Sequence, residues 1–278
     1  MTRSGRAASA RVPTDTRPEE DPLSTAPRLV AFDLDDTLAP SKSPLDPRMS
    51  TLLVELLEHV EVCVISGGQF GQFRTQVIDQ LPELRPDQGV RLHLMPTCGT
   101  QYWHRTADGW SQVYAENLTA DEKTRATTAL EEQARRLGLW ESQTWGPILE
   151  DRDSQITFSA LGQAAPVDAK TAWDPTGERK SALRDAVAAL VPDLEVRSGG
   201  STSVDITRKG IDKAYGMLKL VEITGIPLTD MLFVGDRLDP DGNDYPVKAL
   251  GVRCHEVTGW QDTADYLETL IRELSDAS

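Results

Sequence analysis

Three aspartates and a threonine crowd the segment Asp33-Leu34-Asp35-Asp36-Thr37. Asp33 and Asp35 are two residues apart, so on an extended path both carboxylates project to the same side. Two close carboxylates repel, and a divalent cation such as Mg²⁺ between Asp33 and a third acid relieves that repulsion. A second acidic run, Gly235-Asp236 through Asn243-Asp244, offers that third acid. It is not an EF-hand calcium loop: with Gly242 at the turn position, Arg237 falls on the first ligand position and Lys248 on the bidentate glutamate position. Asp236 is then the metal candidate, the loop closes at Asn243-Asp244, and Asp239 and Asp241 read as solvated acids.

Two further segments have the residue types that phosphate chemistry needs. Ser66-Gly67-Gly68 sets a hydroxyl beside unhindered backbone N–H groups, suited to phosphoryl oxygens. Lys209-Gly210-Ile211-Asp212-Lys213 opens a helix, and either lysine can bring a positive charge to a transferred group. The cysteines Cys63, Cys98 and Cys254 and the four histidines form no closed set at metal-ligand spacing.

These residues require elements that hold them. Leu29–Phe32 and Met231–Val234 are short continuous apolar runs, the mark of strands buried on both faces; Asp33 follows the first directly and Asp236 the second after Gly235. Helical spacing over Pro47–His59, a β-branched run at Val60–Ile65 and a helical stretch at Phe70–Leu81 imply a doubly wound parallel sheet with right-handed crossovers. Between residues 86 and 205 the pattern changes to short alternating runs (Arg91–Pro96, Thr100–His104, Trp110–Tyr114, Gln155–Ala160) and two long helical stretches, Ala120–Leu137 and Glu178–Leu190. Parallel-sheet periodicity then resumes with helices at Ile211–Thr224 and Asp262–Leu274 and a strand at Val252–Val257. The expected fold is α/β: a Rossmann-like core of residues 28–85 and 206–278, an inserted α+β cap of residues 86–205, and an unstructured tail of residues 1–27. The cap is expected to act as a lid, crossing to the core near Leu81–Asp87 and Leu194–Val204.

Composition excludes other classes. The 278 residues carry 29 Lys and Arg against 44 Asp and Glu, a net charge of −15, which argues against a nucleic-acid partner. No apolar run approaches the ~18 residues of a spanning helix, so no membrane partner is expected. Three cysteines in a chain of this size fit a reduced, cytoplasmic setting better than a disulfide framework.

Taken in order, Asp33-x-Asp35-x-Thr37, Ser66, Lys213, and Gly235-Asp236 with Asn243-Asp244 resemble the four motifs of the haloacid dehalogenase superfamily, from about Arg28 to the C-terminus. The long insert between Ser66 and Lys213 resembles the subclass with a large α/β cap (type IIB), which includes sugar-phosphate phosphatases, sucrose phosphatase and eukaryotic-type phosphomannomutase. Segments similar to phosphomannomutase include Thr37–Pro40, Gly146–Arg152, Gly199–Asp205, Gly210–Tyr215 and Pro240–Asp244. The resemblance implies that Arg152, Ser203 and Asp205 contact substrate from the cap, with Gly67 at the phosphate loop and Lys170 a looser match to a family arginine. Two departures stand out: Gln163 replaces a phosphate-binding arginine, and Ser41 replaces the arginine after the Ala-Pro pair, with Lys42 adjacent.

By that resemblance Asp33 is the nucleophile that forms an aspartyl-phosphate, and Asp35 protonates the leaving oxygen and then activates the acceptor. Ser66 and Lys213 bind the equatorial oxygens, Lys213 fitting the family frame better than Lys209. Mg²⁺ is expected on Asp33, the backbone carbonyl of Asp35, Asp236 and Asp244. A mutase must also hold a second phosphate, for which bidentate arginine is the natural residue. With two such positions lost, the expectation is a Mg²⁺-dependent phosphohydrolase of a small phosphorylated substrate, a sugar phosphate. The alternatives are a phosphohexomutase interconverting hexose 6- and 1-phosphates and a non-catalytic sugar-phosphate binding protein. The aromatic residues of the insert suit a sugar platform or a homodimer contact through the cap, although most read as packing residues.

Overall fold

The structure, a computed structural model, describes residues 26–200 and 202–277. The expected tail, residues 1–27, lies outside the described residues except for Ala26 and Pro27. Seven strands form the core sheet: β1 (Leu29–Phe32), β2 (Glu61–Ile65), β3 (Leu92–Met95), β4 (Gln101–Thr106), β5 (Gly109–Ala115), β10 (Met231–Gly235) and β11 (Arg253–Glu256). Their order is β11-β10-β1-β2-β3-β4-β5. The first five in that order are mutually parallel, whereas β3–β4 and β4–β5 pair antiparallel.

Strand alternation separates two apolar layers. Val30, Phe32, Val62, Val64, Leu232 and Val234 pack with Met49 and Leu53 of α1 (Pro47–Leu56) and with Leu267 of α10 (Trp260–Asp276). On the other face Leu29, Ala31, Cys63, Met231 and Phe233 pack with Met217 and Leu220 of α8 (Lys213–Thr224). Each fully buried side chain of this kind contributes roughly 1.5–3 kcal/mol. Asp46 caps α1 through the Arg48 N–H at 2.8 Å, with Pro47 in the first helical position where no amide donor is needed.

The second unit is a four-stranded antiparallel sheet in the order β6-β7-β9-β8: β6 (Leu149–Asp151), β7 (Ile156–Ser159), β8 (Leu194–Ser198) and β9 (Ser203–Arg208). Ile156, Phe158, Val204 and Ile206 form its dry face, covered by Ala126 and Leu130 of α5 (Ala120–Arg136) and by Leu183 and Val187 of α7 (Glu178–Ala188). A short helix, α6 (Val167–Trp173), lies between β7 and α7.

The α/β core with an inserted cap is as expected, but its seams move. Residues 92–115 belong to the core sheet, so the cap does not start at 86. Short alternating strands read alike whether they extend a core sheet antiparallel or build a separate one. The chain leaves the core after β5 and returns between β9 and α8; Leu194–Ser198 is a cap strand, not a crossing. Helix ends shift as well. The stretch 70–81 divides into α2 (Phe70–Gln76) and a 3₁₀ turn, Ile78–Gln80, and α8 starts at Lys213 because the Asp212 side chain caps it through the Tyr215 N–H. The described core also holds two short helices, α3 (Pro86–Gly89) and α9 (Tyr245–Ala249), and α4 (Pro96–Gly99), a tight turn with Thr97, Cys98 and Gly99 at positive φ.

Candidate active site

The order of the core sheet reverses at β1, whose neighbours β10 and β2 lie on opposite sides, and crevices at such switch points are where α/β sheets bind ligands. Asp33 follows β1 and extends its pairing, donating its N–H to Val234 O at 3.0 Å. Asp236 follows β10. Oxygens of Asp33, Asp236 and Asp244 come within 4.8 Å of one another. Gly235 permits this: a Cβ there would lie 2.4 Å from Asp244 Oδ2.

Lys213, in the first turn of α8, points into the same cluster. Its Nζ is 2.7 Å from Asp33 Oδ1 and also pairs with Asp244 Oδ1, with all three side chains almost fully buried. Burial works against the ammonium, but Asp244 and Asp33 outweigh it and hold its pKa above the ordinary lysine value. Burial raises the Asp33 pKa, Asp244 and Asp236 add to the rise, and Lys213 opposes it. The Asp236 pKa is raised by burial and by Asp244. Lys209 is exposed at the return from the cap, so Lys213 is the lysine of the site. Asp239 and Asp241 are exposed loop acids, and Asp239 pairs with Arg237 at 3.0 Å.

The carboxylate of Asp35 lies outside this acidic group. It accepts from the Lys42 N–H at 2.7 Å, from Gln72 at 3.0 Å and from Gln76 at 3.3 Å. Asp36 carries the turn at φ 62°, its carboxylate accepting from the Ser41 N–H, and Thr263 of α10 clamps the loop through Thr37 O at 2.7 Å. Ser66 is buried at the end of β2, where its Oγ accepts from the Gly68 N–H at 3.3 Å.

The cap is seated on this site. Arg152 donates to Gly67 O at 2.8 Å and is pinned by Glu150 at 2.6 Å, so it is a strut across the seam. Gln69 donates to Glu150, and Ser154 joins Thr97 and Thr100 in a buried hydroxyl cluster. The polar face of the cap sheet is continuous: Thr157 pairs across from Asp205 and donates to it at 2.7 Å, while Ser159 faces Ser203 with their hydroxyls 3.3 Å apart. Burial raises the Asp205 pKa, and Arg152 opposes the rise. Gln163 extends this face through Ser159 at 2.7 Å. Two lysines meet Gln163: Lys42 of the core contacts its Oε1, and Lys170 of the cap donates to its backbone carbonyl at 3.0 Å.

Gln155, Thr157 and Ser159 were not singled out from the sequence, although their alternation with Ile156 and Phe158 was the available signal. Gln72 and Gln76 carried none, because glutamines on a helix are usually solvated.

Three hard carboxylate donors within one small radius suit a Mg²⁺ ion, and the ammonium already lodged among them shows that the cluster attracts positive charge. The paired arrangement can present a buried carboxylate to an electrophile while a fixed ammonium balances the incoming charge.

The sequence profile of eukaryotic phosphomannomutase matches residues 142–273. A probable phosphomannomutase of Caenorhabditis elegans is 22% identical over 262 residues, covering 88% of this chain and 96% of the relative. Phosphomannomutase 1 of Mus musculus is 23% identical over 262 residues, covering 84% and 88%. Among solved structures, an IMP-bound, N-terminally truncated IMP-nucleotidase of Plasmodium falciparum superposes with a TM-score of 0.66 at 13% identity, over 89% of this chain and 68% of that one. A haloacid dehalogenase-like hydrolase from Bacteroides thetaiotaomicron gives 0.54 at 16%, over 87% and 99%. The structural likenesses speak for the fold. The sequence matches add a similarity to phosphomannomutases that spans most of the chain. Among the described residues no helix is long and apolar enough to cross a membrane.

Proposed function

We propose that this haloacid dehalogenase-type protein is a phosphohexomutase, moving a phosphoryl group between the 6- and 1-oxygens of a hexose phosphate by way of Asp33. The observation that carries this reading is the meeting of Lys42 and Lys170 at Gln163. By sequence alone, the loss of two arginines at Gln163 and Ser41 favours simple hydrolysis. Two ammonium groups beside Gln163, one from each side of the seam, offer an anion site on the Asp35 side of the crevice. The relatives named above favour the same outcome.

In this reading Asp33 attacks phosphorus and Asp35 passes a proton to the leaving oxygen. Lys213 and Ser66 hold the equatorial oxygens of the transferring group, which suits a loose transition state. Asp33, Asp236 and Asp244, with the backbone carbonyl of Asp35, would hold Mg²⁺, which when bound supplies charge neutralisation between nucleophile and phosphate. Asp205, Thr157, Ser159 and Ser203 face the sugar hydroxyls, and Lys42 with Lys170 take the second phosphate. The closed seam at Arg152 and Gly67 keeps water from the phosphoryl group.

Hydrolysis is the second reading, favoured by the amide of Gln163 where a guanidinium would grip phosphate bidentately. One experiment separates them. Hexose monophosphates are incubated with Mg²⁺, with and without hexose 1,6-bisphosphate, and isomer exchange and free phosphate are followed in the same tubes. Exchange that needs bisphosphate, stops with chelator and vanishes in a folded Asp33→Asn variant is expected. Phosphate release outrunning exchange establishes the hydrolase, and activity surviving chelator rejects both.

A further inference from the structure

Helix α2 grips the carboxylate of Asp35 with two amides. Gln72 Nε2 donates to Oδ2 at 3.0 Å and Gln76 Nε2 to Oδ1 at 3.3 Å, while the Lys42 N–H donates to Oδ1 at 2.7 Å. The glutamines are four residues apart, hence on one face of the helix. Gln76 gives another N–H to Ser43 O at 2.7 Å, and its own Oε1 is buried without a partner. A flipped amide would aim that oxygen at two acceptors, so Ser43 and Asp35 dictate its orientation. Leaving a buried carbonyl unpaired is costly, and such a group calls for an explanation in what it holds in place. Gly68 makes room for the other amide: a Cβ there would stand 2.4 Å from Gln72 Oε1.

The geometry points to Gln72 and Gln76 as positioning residues that aim the Asp35 carboxyl group at the leaving oxygen. Each carboxylate oxygen offers two lone pairs. Those of Oδ1 are taken by Gln76 and the Lys42 N–H, and one of Oδ2 by Gln72, so the remaining lone pair of Oδ2 is where the exchanged proton sits. The proton passes from Oδ2 to the ester oxygen as the bond from that oxygen to phosphorus breaks and the bond from Asp33 to phosphorus forms. In the second half, Oδ2 takes the proton from the acceptor hydroxyl as phosphorus leaves Asp33. This inference rests on the phosphoryl-transfer reading above. It adds that the acid is aimed from a helix whose lead-in residues, Gly67 and Gln69, bear the cap contacts from Arg152 and Glu150.

The test compares two phosphoryl donors, because an acid is needed only when the leaving group is poor. A hexose phosphate leaves as an alkoxide and needs the Asp35 proton; acetyl phosphate leaves as acetate and does not. Gln72→Leu, at a half-buried position, is expected to lower kcat on the hexose phosphate by about 10- to 100-fold, a part of the roughly 10²–10⁴-fold that acid–base catalysis contributes, with KM within about 2-fold. Phosphorylation of Asp33 by acetyl phosphate should change by less than about 3-fold, read as acid-stable, hydroxylamine-labile phosphate on the protein. Gln72→Met, which keeps the length of the side chain and removes its donor, should give the same split. Equal losses on both donors, or no loss on either, in variants that melt as the parent does, overturn the positioning role while leaving the reading of the site intact. A parent protein that accepts phosphate from neither donor overturns the reading itself, and the positioning role with it.

Discussion

Lys213 Nζ stands 2.7 Å from Asp33 Oδ1, with only 1% of the lysine side chain and 6% of the aspartate exposed. An ammonium with no water to retreat to is held by its partners alone, Asp33 on one side and Asp244 on the other. Removing one member of a buried pair costs far more than the pair is worth, because the other charge remains. Lys213→Met is therefore expected to lower unfolding free energy by about 3 kcal/mol. Urea unfolding of the variant should be partly restored by millimolar Mg²⁺, since a divalent cation can replace the lost charge. An unchanged midpoint would mean that the three carboxylates share protons freely without the lysine.

The second cationic position behaves differently. Desolvation of the ammonium beside the cap, on a residue otherwise exposed, then repulsion from Lys170 and Arg152, pushes the Lys42 pKa down to about 8. Its folded pKa lies below the ordinary lysine value, so it is charged below about pH 8 and neutral above. Affinity for the second phosphate of a hexose bisphosphate should thus be highest below pH 8 and weaken as pH rises through it. Calorimetric titrations between pH 6.5 and 9.5 check the slope, and Lys42→Gln should flatten it. A slope that survives the substitution assigns the titration to another group.

Residues differ in how plainly the sequence announced them. Asp33 and Asp236 were legible because an acid within two residues of the end of a buried apolar run stands at the mouth of the sheet. Lys209 and Lys213 flank the same Gly-Ile-Asp turn, and which one is buried is decided by how α8 packs, a tertiary fact. The strands at 92–115 were legible as strands but not as members of the core sheet, since alternation reports a half-buried surface without naming its neighbour. Lys42 was noticed as adjacent to a lost arginine, but its meeting with Gln163 crosses 121 positions of chain and needs the closed cap.

Glu122 couples the two crossings between core and cap. It stands at the third position of α5, just after the chain leaves the core, in a capping box with Thr119. Arg208, the last residue before the return, donates to it at 3.0 Å. Hydrogen bonds from Arg208 and then from the Thr119 N–H lower its pKa to about 2. A carboxylate whose folded pKa is depressed stabilises the fold above its unfolded value of roughly 4.3 and loses that contribution as pH falls towards 2. Glu122→Gln should therefore lower Tm at pH 6 and lower it less at pH 3. A gap that is constant across this range would assign the loss to shape rather than charge.

Gly216 tests how tightly the helix carrying Lys213 must lie against the core. A Cβ at Gly216 would come within 2.2 Å of Ile65 Cδ1 and 2.8 Å of Cys98 O, and one at Gly99, itself at φ 86°, within 2.5 Å of Gly216 Cα. The end of an isoleucine can turn aside, but a backbone carbonyl cannot without moving its strand connection. By helix propensity alone Gly216→Ala should stabilise α8 by up to about 1 kcal/mol. The steric demand acts the other way and is larger, since overpacking typically costs about 1–3 kcal/mol. Net destabilisation is the expected outcome. Lys213 lies three residues earlier on the same face of α8, so the displaced helix also withdraws Nζ from Asp33. Thermal melts should show a lowered Tm, and the folded fraction should transfer phosphate more slowly. A raised Tm would mean that α8 sits farther from the Thr97–Gly99 turn than these contacts require.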